Sequence, residues 1–352
     1  MSEDSEALPA PAPDAGPHKR RPRYGGKYPR RFEDKYKERQ PERYQSTVAK
    51  VLASGKTPAG MHRPIMVQEI LQVLALQPGQ VAVDCTLGYG GHAQELLKRL
   101  LPGGRLFGLD VDPVELPKTE LRLRSLGFGP EVFTVCRSNY AGLPRILGAA
   151  GLPGADRILA DLGVSSMQLD DPARGFSYKL EGPLDMRMNP QRGQPASEFL
   201  RKVLPEQLES ILAENADEPR AAQLARALAG KDFKTATELA AAVRQSLPNS
   251  KERERELAVP RVFQALRIAV NEELSALESF LRELPACLNP GGRVAILSFH
   301  SGEDRRVKRA FAAGLRSGAY SGVAHEIVRP TAEECRANPR CTAAKLRWAQ
   351  RA

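Results

Sequence analysis

From residue 62 the chain alternates between helical and strand-like spacing of its apolar residues. Pro64–Leu76 places Ile65, Met66, Ile70, Leu71 and Leu74 at helical intervals, and Pro78-Gly79 ends the run. Val81-Ala82-Val83-Asp84-Cys85 is a short strand of the fully buried kind, followed by the turn Gly88–Gly91 and a helix over Ala93–Leu101. Pro102-Gly103-Gly104 then leads into a second strand, Arg105–Asp110, and a helix over Pro117–Leu126. Val132–Val135 and Ile158–Asp161 read as third and fourth strands. Strands joined by helix-length crossovers predict a parallel α/β sheet.

Between Pro172 and Val259 the pattern changes. A loop-like stretch rich in Gly, Pro and charge gives way to Ala/Leu/Glu-rich helices at Ala196–Leu212, Ala221–Leu228 and Thr235–Leu247, with no strand pattern. A helix over Arg261–Leu284, the turn Asn289–Gly292 and a strand over Arg293–Ser298 follow. The expected organisation is an α/β core of residues 61–171 and 260–352, interrupted by a helical insertion at 172–259 that serves as a substrate-recognition domain. Residues 1–60 form an extension. Its first eighteen residues are Pro/Ala/acid-rich and predict disorder.

The 352 residues carry a net charge of +10, which suggests a polyanionic partner, nucleic acid ahead of membrane. The charge gathers between Lys19 and Arg43, where eleven Lys/Arg face four Asp/Glu and Tyr24, Tyr28, Phe32 and Tyr36 recur. Such a segment either binds unpaired nucleic acid or is a solvated tail. No apolar run is long enough for a bilayer, and the acidic N-terminus does not read as a secretory signal, so a cytoplasmic protein is expected. Five scattered cysteines do not read as a disulfide framework. Cys335 and Cys341 have only His325 nearby to complete a metal site, and none is expected.

Asp84, Asp110 and Asp161 each end a predicted strand, the edge at which open α/β sheets bind ligands. The turn Gly88-Tyr89-Gly90-Gly91-His92 admits a ligand close to the backbone. Asp110, about twenty residues on, suits a ribose diol, so an adenosine cofactor is expected, with NAD and S-adenosylmethionine both open. The turn lacks the G-x-G-x-x-G spacing of dinucleotide enzymes, and Asp112-Pro113 closes the second strand, which together favour S-adenosylmethionine. Asp161 through Asp170 is placed to present substrate, Arg174–Tyr178 adds charge and rings, and Gly182–Pro190 reads as a lid.

These segments resemble the ribosomal small-subunit methyltransferase H family, also called RsmH or MraW. The resemblance covers about residues 61–352 and rests on His62–Met66, Asp84–His92, Asp161–Asp170, Arg174–Pro190, Phe263–Asn271, Ser298–Ser301 and Asn338–Arg340, the run from Asp161 to Pro190 being the most specific. Gly302, Leu257 and Ala216-Asp217-Glu218 depart from the family pattern, all outside the cofactor motifs. The resemblance implies a Rossmann-like methyltransferase core with an inserted helical domain, and transfer of a methyl group from S-adenosylmethionine to the N4 amine of a cytosine in the decoding region of 16S rRNA. Carried over by position, it implies cofactor contacts from Gly90, Gly91, His92, Asp110, Tyr140, Asp161 and Gln168.

The Asp/Asn/Ser-Pro-Pro-aromatic motif of many amino-methyltransferases is replaced by Asp161-Leu162-Gly163. Asp161 or Asp185 is therefore expected to accept a hydrogen bond from the amine, with Phe176 or Tyr178 holding the base and His300 as a further polar group. The expected partner is 16S rRNA in the small subunit, with no membrane and with the oligomeric state open, a homodimer included. A methyltransferase acting on another RNA or a protein, and a non-catalytic ribosome-associated RNA-binding protein, are the alternative readings.

Overall fold

The computed structural model describes residues 64–352, so the basic, aromatic N-terminal extension lies outside the described residues. Helix α1 (Val67–Leu74) precedes β1 (Val81–Asp84), α2 (Gly91–Leu100), β2 (Arg105–Asp110), α3 (Leu116–Ser125), β3 (Phe133–Arg137), α4 (Leu143–Ala149) and β4 (Ala155–Asp161). Helices α5 (Ser166–Asp170), α6 (Ala196–Lys202), α7 (Pro205–Ala216), α8 (Ala221–Leu228), α9 (Ala236–Gln245), α10 (Glu252–Val270) and α11 (Glu273–Glu283) separate β4 from β5 (Leu288–Ser298). The chain closes with α12 (Ser301–Arg316), β6 (Tyr320–Val323), α13 (Ala332–Ala337) and β7 (Lys345–Arg351).

The strands form one seven-stranded sheet in the order β3-β2-β1-β4-β5-β7-β6. The first five strands are mutually parallel, and β7 runs antiparallel to both β5 and β6. The chain winds from β1 outward to β3, then returns to β4 on the other side of β1. That reversal opens a crevice beyond the C-terminal ends of β1 and β4. One face of the sheet packs against α1, α2 and α3 through Ile70, Leu74, Leu96, Leu97, Leu100 and Leu123. The other packs against α4, α11 and α12 through Leu143, Leu147, Leu277, Phe280, Val307 and Phe311. The parallel part is the α/β sheet expected from the alternating pattern, the whole is the Rossmann-like core the resemblance implies, and the antiparallel β7 and β6 were not anticipated.

A third apolar cluster holds α6 to α10 together, with Leu208, Leu212, Leu224, Leu239, Val262 and Leu266 at its centre and Phe176, Leu184 and Met186 packed into it. Two expected helices are each divided in the structure. Ala196–Leu212 breaks at Val203-Leu204, because Pro205 starts a new helix at a position where its missing N–H costs nothing. The expected helix Arg261–Leu284 is α10 plus α11, separated at Glu272, whose φ is 53°. Helix α10 also begins nine residues earlier and carries Pro260 in its interior. Val259, Val262 and Phe263 are buried around that proline, and their packing outweighs the lost hydrogen bond. Strands β6 and β7 and helix α12 extend the fold beyond the elements anticipated.

Candidate functional site

Asp84, Asp110 and Asp161 stand at the C-terminal ends of β1, β2 and β4, on the crevice edge. Between β1 and α2 the chain turns through Gly88 and Gly90, both with positive φ. Gly90, with a φ of 73°, is the N-cap of α2. A Cβ there would lie 2.9 Å from Thr119 Cγ2 and 3.1 Å from Leu123 Cδ1, so only glycine leaves the turn room against α3. Thr119 Oγ1 donates to the Gly88 carbonyl at 2.6 Å and fixes the turn from below. The Arg122 guanidinium lies 3.7 Å from the Tyr89 ring centroid.

The acids differ in how they are occupied. Asp110 Oδ2 accepts from the Gly88 N–H at 2.7 Å and Oδ1 from the Asp112 N–H at 2.9 Å. Each oxygen keeps a lone pair for a further donor. Burial pushes its pKa up against those two backbone bonds. Asp84 is 1% exposed; its Oδ1 accepts from the Thr86 N–H, while Oδ2 has no hydrogen-bond partner. Burial, opposed by His92 but reinforced by Asp161 and Asp110, pushes the Asp84 carboxyl up to about 6. Asp161 donates its backbone N–H to Thr86 Oγ1 at 2.6 Å, and its Oδ1 is buried without a partner. Its Oδ2 lies 3.6 Å from His92 Nε2, which also lacks a hydrogen bond. Thr86 thus joins the ends of β1 and β4.

Three buried, unpartnered polar atoms around a glycine turn fit a ligand that brings hydroxyl or ammonium donors and positive charge. S-adenosylmethionine has both a ribose diol and a sulfonium. Gly90, Gly91, His92, Asp110 and Asp161 surround this turn, so the structure brings those sequence-predicted residues together.

Tyr140 and Gln168 are held differently. The Tyr140 hydroxyl donates to the Glu273 carbonyl at 3.0 Å, and its ring lies 5.5 Å from that of Phe280. Burial pushes its pKa up. Gln168 completes a capping box with Ser165 and donates Nε2 to Asp112 Oδ2 at 2.9 Å. Asp112, 1% exposed, also receives Arg174 Nη1 at 2.7 Å. Burial favours its neutral form, but Arg174 and Gln168 outweigh it and hold the pKa below the usual carboxylate range. Arg174 in turn donates to the carbonyls of Arg187 and Met188. The Asn271 side chain, at the end of α10, accepts from the Met188 N–H and donates to the Met186 carbonyl. The segment from Asp161 to Asn189 is therefore strapped to the end of β2 and to α10. The Asp112–Arg174 pair was not singled out by sequence; Asp112 stood only as part of an Asp-Pro strand ending.

Asp185 stands apart from these contacts. Both its oxygens are taken by Arg187, from Nε at 2.7 Å and Nη2 at 2.8 Å. His300 caps α12, with Nδ1 accepting from the Glu303 N–H and Nε2 3.2 Å from Glu303 Oε1, a structural role. Phe176 is 5% exposed within the helical cluster, and Tyr178 meets Phe263 edge-on at 5.5 Å. Phe176 is thus a core ring, contrary to the expectation that it holds a base. The sulfurs of Cys335 and Cys341 lie 3.6 Å apart, and among the described residues no group of three or more potential ligands is placed to hold a metal.

Arg174→Met is expected to destabilise the fold by about 2 kcal/mol, the worth of a charge-assisted bond to a buried carboxylate. Because Gln168 loses part of its anchor, cofactor affinity should weaken as well. Urea denaturation and calorimetry measure the two effects, and Asp112→Asn in the same chain should recover part of the stability. An Arg174→Met protein as stable as the parent would show that the strap carries no tension.

The profile of the MraW methylase family matches residues 59–352. The chain is 50% identical over 344 residues to ribosomal RNA small subunit methyltransferase H 1 of Lachnoclostridium phytofermentans, covering 95% of this chain and 93% of that one. It is 49% identical to ribosomal RNA small subunit methyltransferase H 2 of Alkaliphilus metalliredigens, covering 95% and 97%. Among solved structures, a methyltransferase from Streptococcus mutans in complex with SAH is similar with a TM-score of 0.39 and 12% identity, over 81% of this chain and 95% of that one. Family match, high identity over nearly the whole length and the glycine-turn site converge: this chain belongs to the MraW methylase family and is a methyltransferase that uses S-adenosylmethionine.

Proposed function

We propose that the protein transfers a methyl group from S-adenosylmethionine to the N4 amine of a cytosine in the decoding region of 16S rRNA. The family match and the relatives named as small-subunit rRNA methyltransferases support the substrate. The observation that carries the chemistry is the buried, unpartnered Oδ1 of Asp161, beside the glycine turn and His92. Gly90, Gly91, His92 and Asp110 would hold the cofactor, with Tyr140 and Gln168 bordering it, and residues 172–259 would engage the RNA. Among the described residues no helix is long and apolar enough to cross a membrane, and we place the reaction in the cytoplasm.

The N4 lone pair of cytosine is delocalised into the ring, so the amine is a weak nucleophile. When bound, the cofactor supplies an electrophilic sulfonium methyl. Asp161 accepts a hydrogen bond from the amine and turns its lone pair toward that methyl. Asp161 is preferred to Asp185 for this role, because the Asp185 carboxylate is already paired with the Arg187 guanidinium, whereas Asp161 Oδ1 is buried without a partner. Alignment supplies most of the rate, since the amine loses its proton readily once methylated. Asp84 balances the positive charge of the cofactor. Mass mapping of 16S rRNA from a strain lacking the gene tests the assignment: one N4-methylcytosine should disappear. An unchanged modification map would remove the substrate reading.

Asp84 makes cofactor binding depend on pH. A cation bound nearby favours the carboxylate, so below about pH 6 binding must expel a proton. Affinity should fall by up to about tenfold per pH unit from pH 6 to pH 5 and level off above pH 7. Stability moves the other way. A folded-state pKa raised above that of the unfolded chain means the native state holds the extra proton between about pH 4 and pH 6, so this carboxyl's contribution to stability declines as pH rises through that window. Calorimetry in buffers of different ionisation enthalpy reads the expelled proton. Asp84→Asn should remove this dependence while His92, Asp110 and Asp161 remain; a wild-type affinity flat between pH 5 and pH 7 would contradict it.

A further inference from the structure

Helix α12 segregates its charges by sign. Its acids face inward: Glu303, 3% exposed, bonds the Phe299 N–H and neighbours His300, and Asp304, 8% exposed, receives Arg347 at 2.7 Å and Lys345 at 3.3 Å from β7. Its outer face carries Arg305, Lys308, Arg309, Ala312 and Arg316, which line a shallow depression. The spacing 305, 308, 309, 312, 316 follows the helical repeat, so these residues share one face. Arg305 pairs with Asp217, and Arg306 beside the face pairs with Glu278. Lys308, Arg309 and Arg316 are exposed and have no acidic partner among the described residues.

Acids one turn away can answer the cations of a solvated helix face, as in the Lys98–Glu95, Lys118–Glu115 and Lys202–Glu198 pairs. In α12 the acids that would serve are used in the core. The face also begins at the reaction edge. Helix α12 starts three residues after Ser298 ends β5, and β5 pairs with β4 so that Leu297 stands opposite Asp161. From there the helix runs down beside the sheet, and Lys308 to Arg316 spans roughly 12 Å of it.

We infer that the outer face of α12 is a docking surface for the phosphodiester backbone of the substrate RNA next to the target base. This rests on the proposed rRNA substrate and adds to it the surface that receives the strand. The spaced, unpaired cations fit phosphates held in a row and read no base. Their contribution is electrostatic and therefore sensitive to salt.

The test compares wild-type protein with the triple variant Lys308→Gln/Arg309→Gln/Arg316→Gln. These side chains are exposed, so thermal stability and S-adenosylmethionine affinity should stay within error of wild type. Binding to a protein-free 16S fragment containing the decoding region is measured by anisotropy between about 50 and 200 mM salt. The expected result is an affinity at least tenfold lower near 100 mM salt and a log–log salt slope shallower by about two to three, since each lost phosphate contact removes about 0.7 on single strands to 0.9 on a duplex. Affinity and slope within twofold of wild type would overturn the inference. So would a loss confined to assembled small subunits and missing on naked RNA, which would indicate a protein partner. Methylation of the fragment by wild-type protein is scored separately. A wild type that binds through this face but modifies another base removes the cytosine assignment and leaves the docking surface standing.

Discussion

Gly90→Val should abolish measurable S-adenosylmethionine binding, with a dissociation constant raised at least about a hundredfold, and should lower the melting temperature. Two costs add. A φ of 73° is left-handed, which burdens any residue with a side chain by about 1–2 kcal/mol and a β-branched one by more. The side chain must also enter space already filled by Thr119 Cγ2, 2.9 Å from the Cβ position, and by Leu123 Cδ1 and Arg122 Nη2. Thr119 cannot swing aside without losing its bond to the Gly88 carbonyl, and Leu123 is fully buried. The turn must move, and with it the Gly88 N–H that holds Asp110. Gly127→Ala separates strain from site geometry. Gly127 has a φ of 91° but nothing within 4 Å of its Cβ position, so alanine there should cost stability and leave cofactor affinity intact. Calorimetric titration and a melting curve on both variants decide it. Gly90→Val protein that bound cofactor normally would remove the turn from the site.

The core strands were legible because parallel strands buried on both faces are nearly continuous apolar runs. Arg105–Asp110 stands where the pattern placed it, and Val81–Asp84 ends one residue before the expected Cys85. The antiparallel edge was not. Strand β7 reads Lys-Leu-Arg-Trp-Ala-Gln-Arg, and its Arg347 looks like a solvent residue until Asp304 of α12 is brought against it. That pairing joins residues 43 apart, a distance no local pattern reports. Helix boundaries failed where proline behaved in two ways. Pro205 starts a helix, whereas Pro260 is carried inside one by burial on both sides.

The site was legible as a set of strand-end acids and a glycine turn, but not in its internal division of labour. Asp84, Asp110, Asp112 and Asp161 are equivalent letters in the sequence. Folding gives Asp112 to Arg174 and Gln168, lends Asp110 to two backbone N–H groups, and leaves Asp84 and Asp161 each with an unpartnered buried oxygen. The difference comes from the strap between residues 161 and 189, whose partners at Asp112 and Asn271 lie far away in the chain. Asp185 shows the converse. Its place in a family-like run suggested chemistry, and the structure shows its carboxylate paired with Arg187, two residues on, a contact the run does not announce.

That division places the largest catalytic effect at Asp161. Asp161→Asn should lower the turnover of cytosine methylation by about a hundred- to a thousandfold, the range for removing a preorganised hydrogen-bonding group from a reacting atom. The fold should survive, because the bond that ties this residue to β1 runs from its backbone N–H to Thr86 Oγ1 and does not involve the carboxylate. Asparagine keeps one acceptor but presents an NH2 group in place of the second oxygen and carries no charge, so one of its two rotamers meets the substrate amine with a donor. Cofactor affinity should change less than turnover, since Asp84 and Asp110 remain. The two constants must therefore be read together, with single-turnover rates on saturated enzyme and calorimetry for the cofactor. A comparable loss in Asp185→Asn would move the role to that residue, whose carboxylate would then have to leave Arg187. Full turnover by Asp161→Asn with cofactor bound would eliminate the contact to the amine, and the rate would then rest on alignment alone.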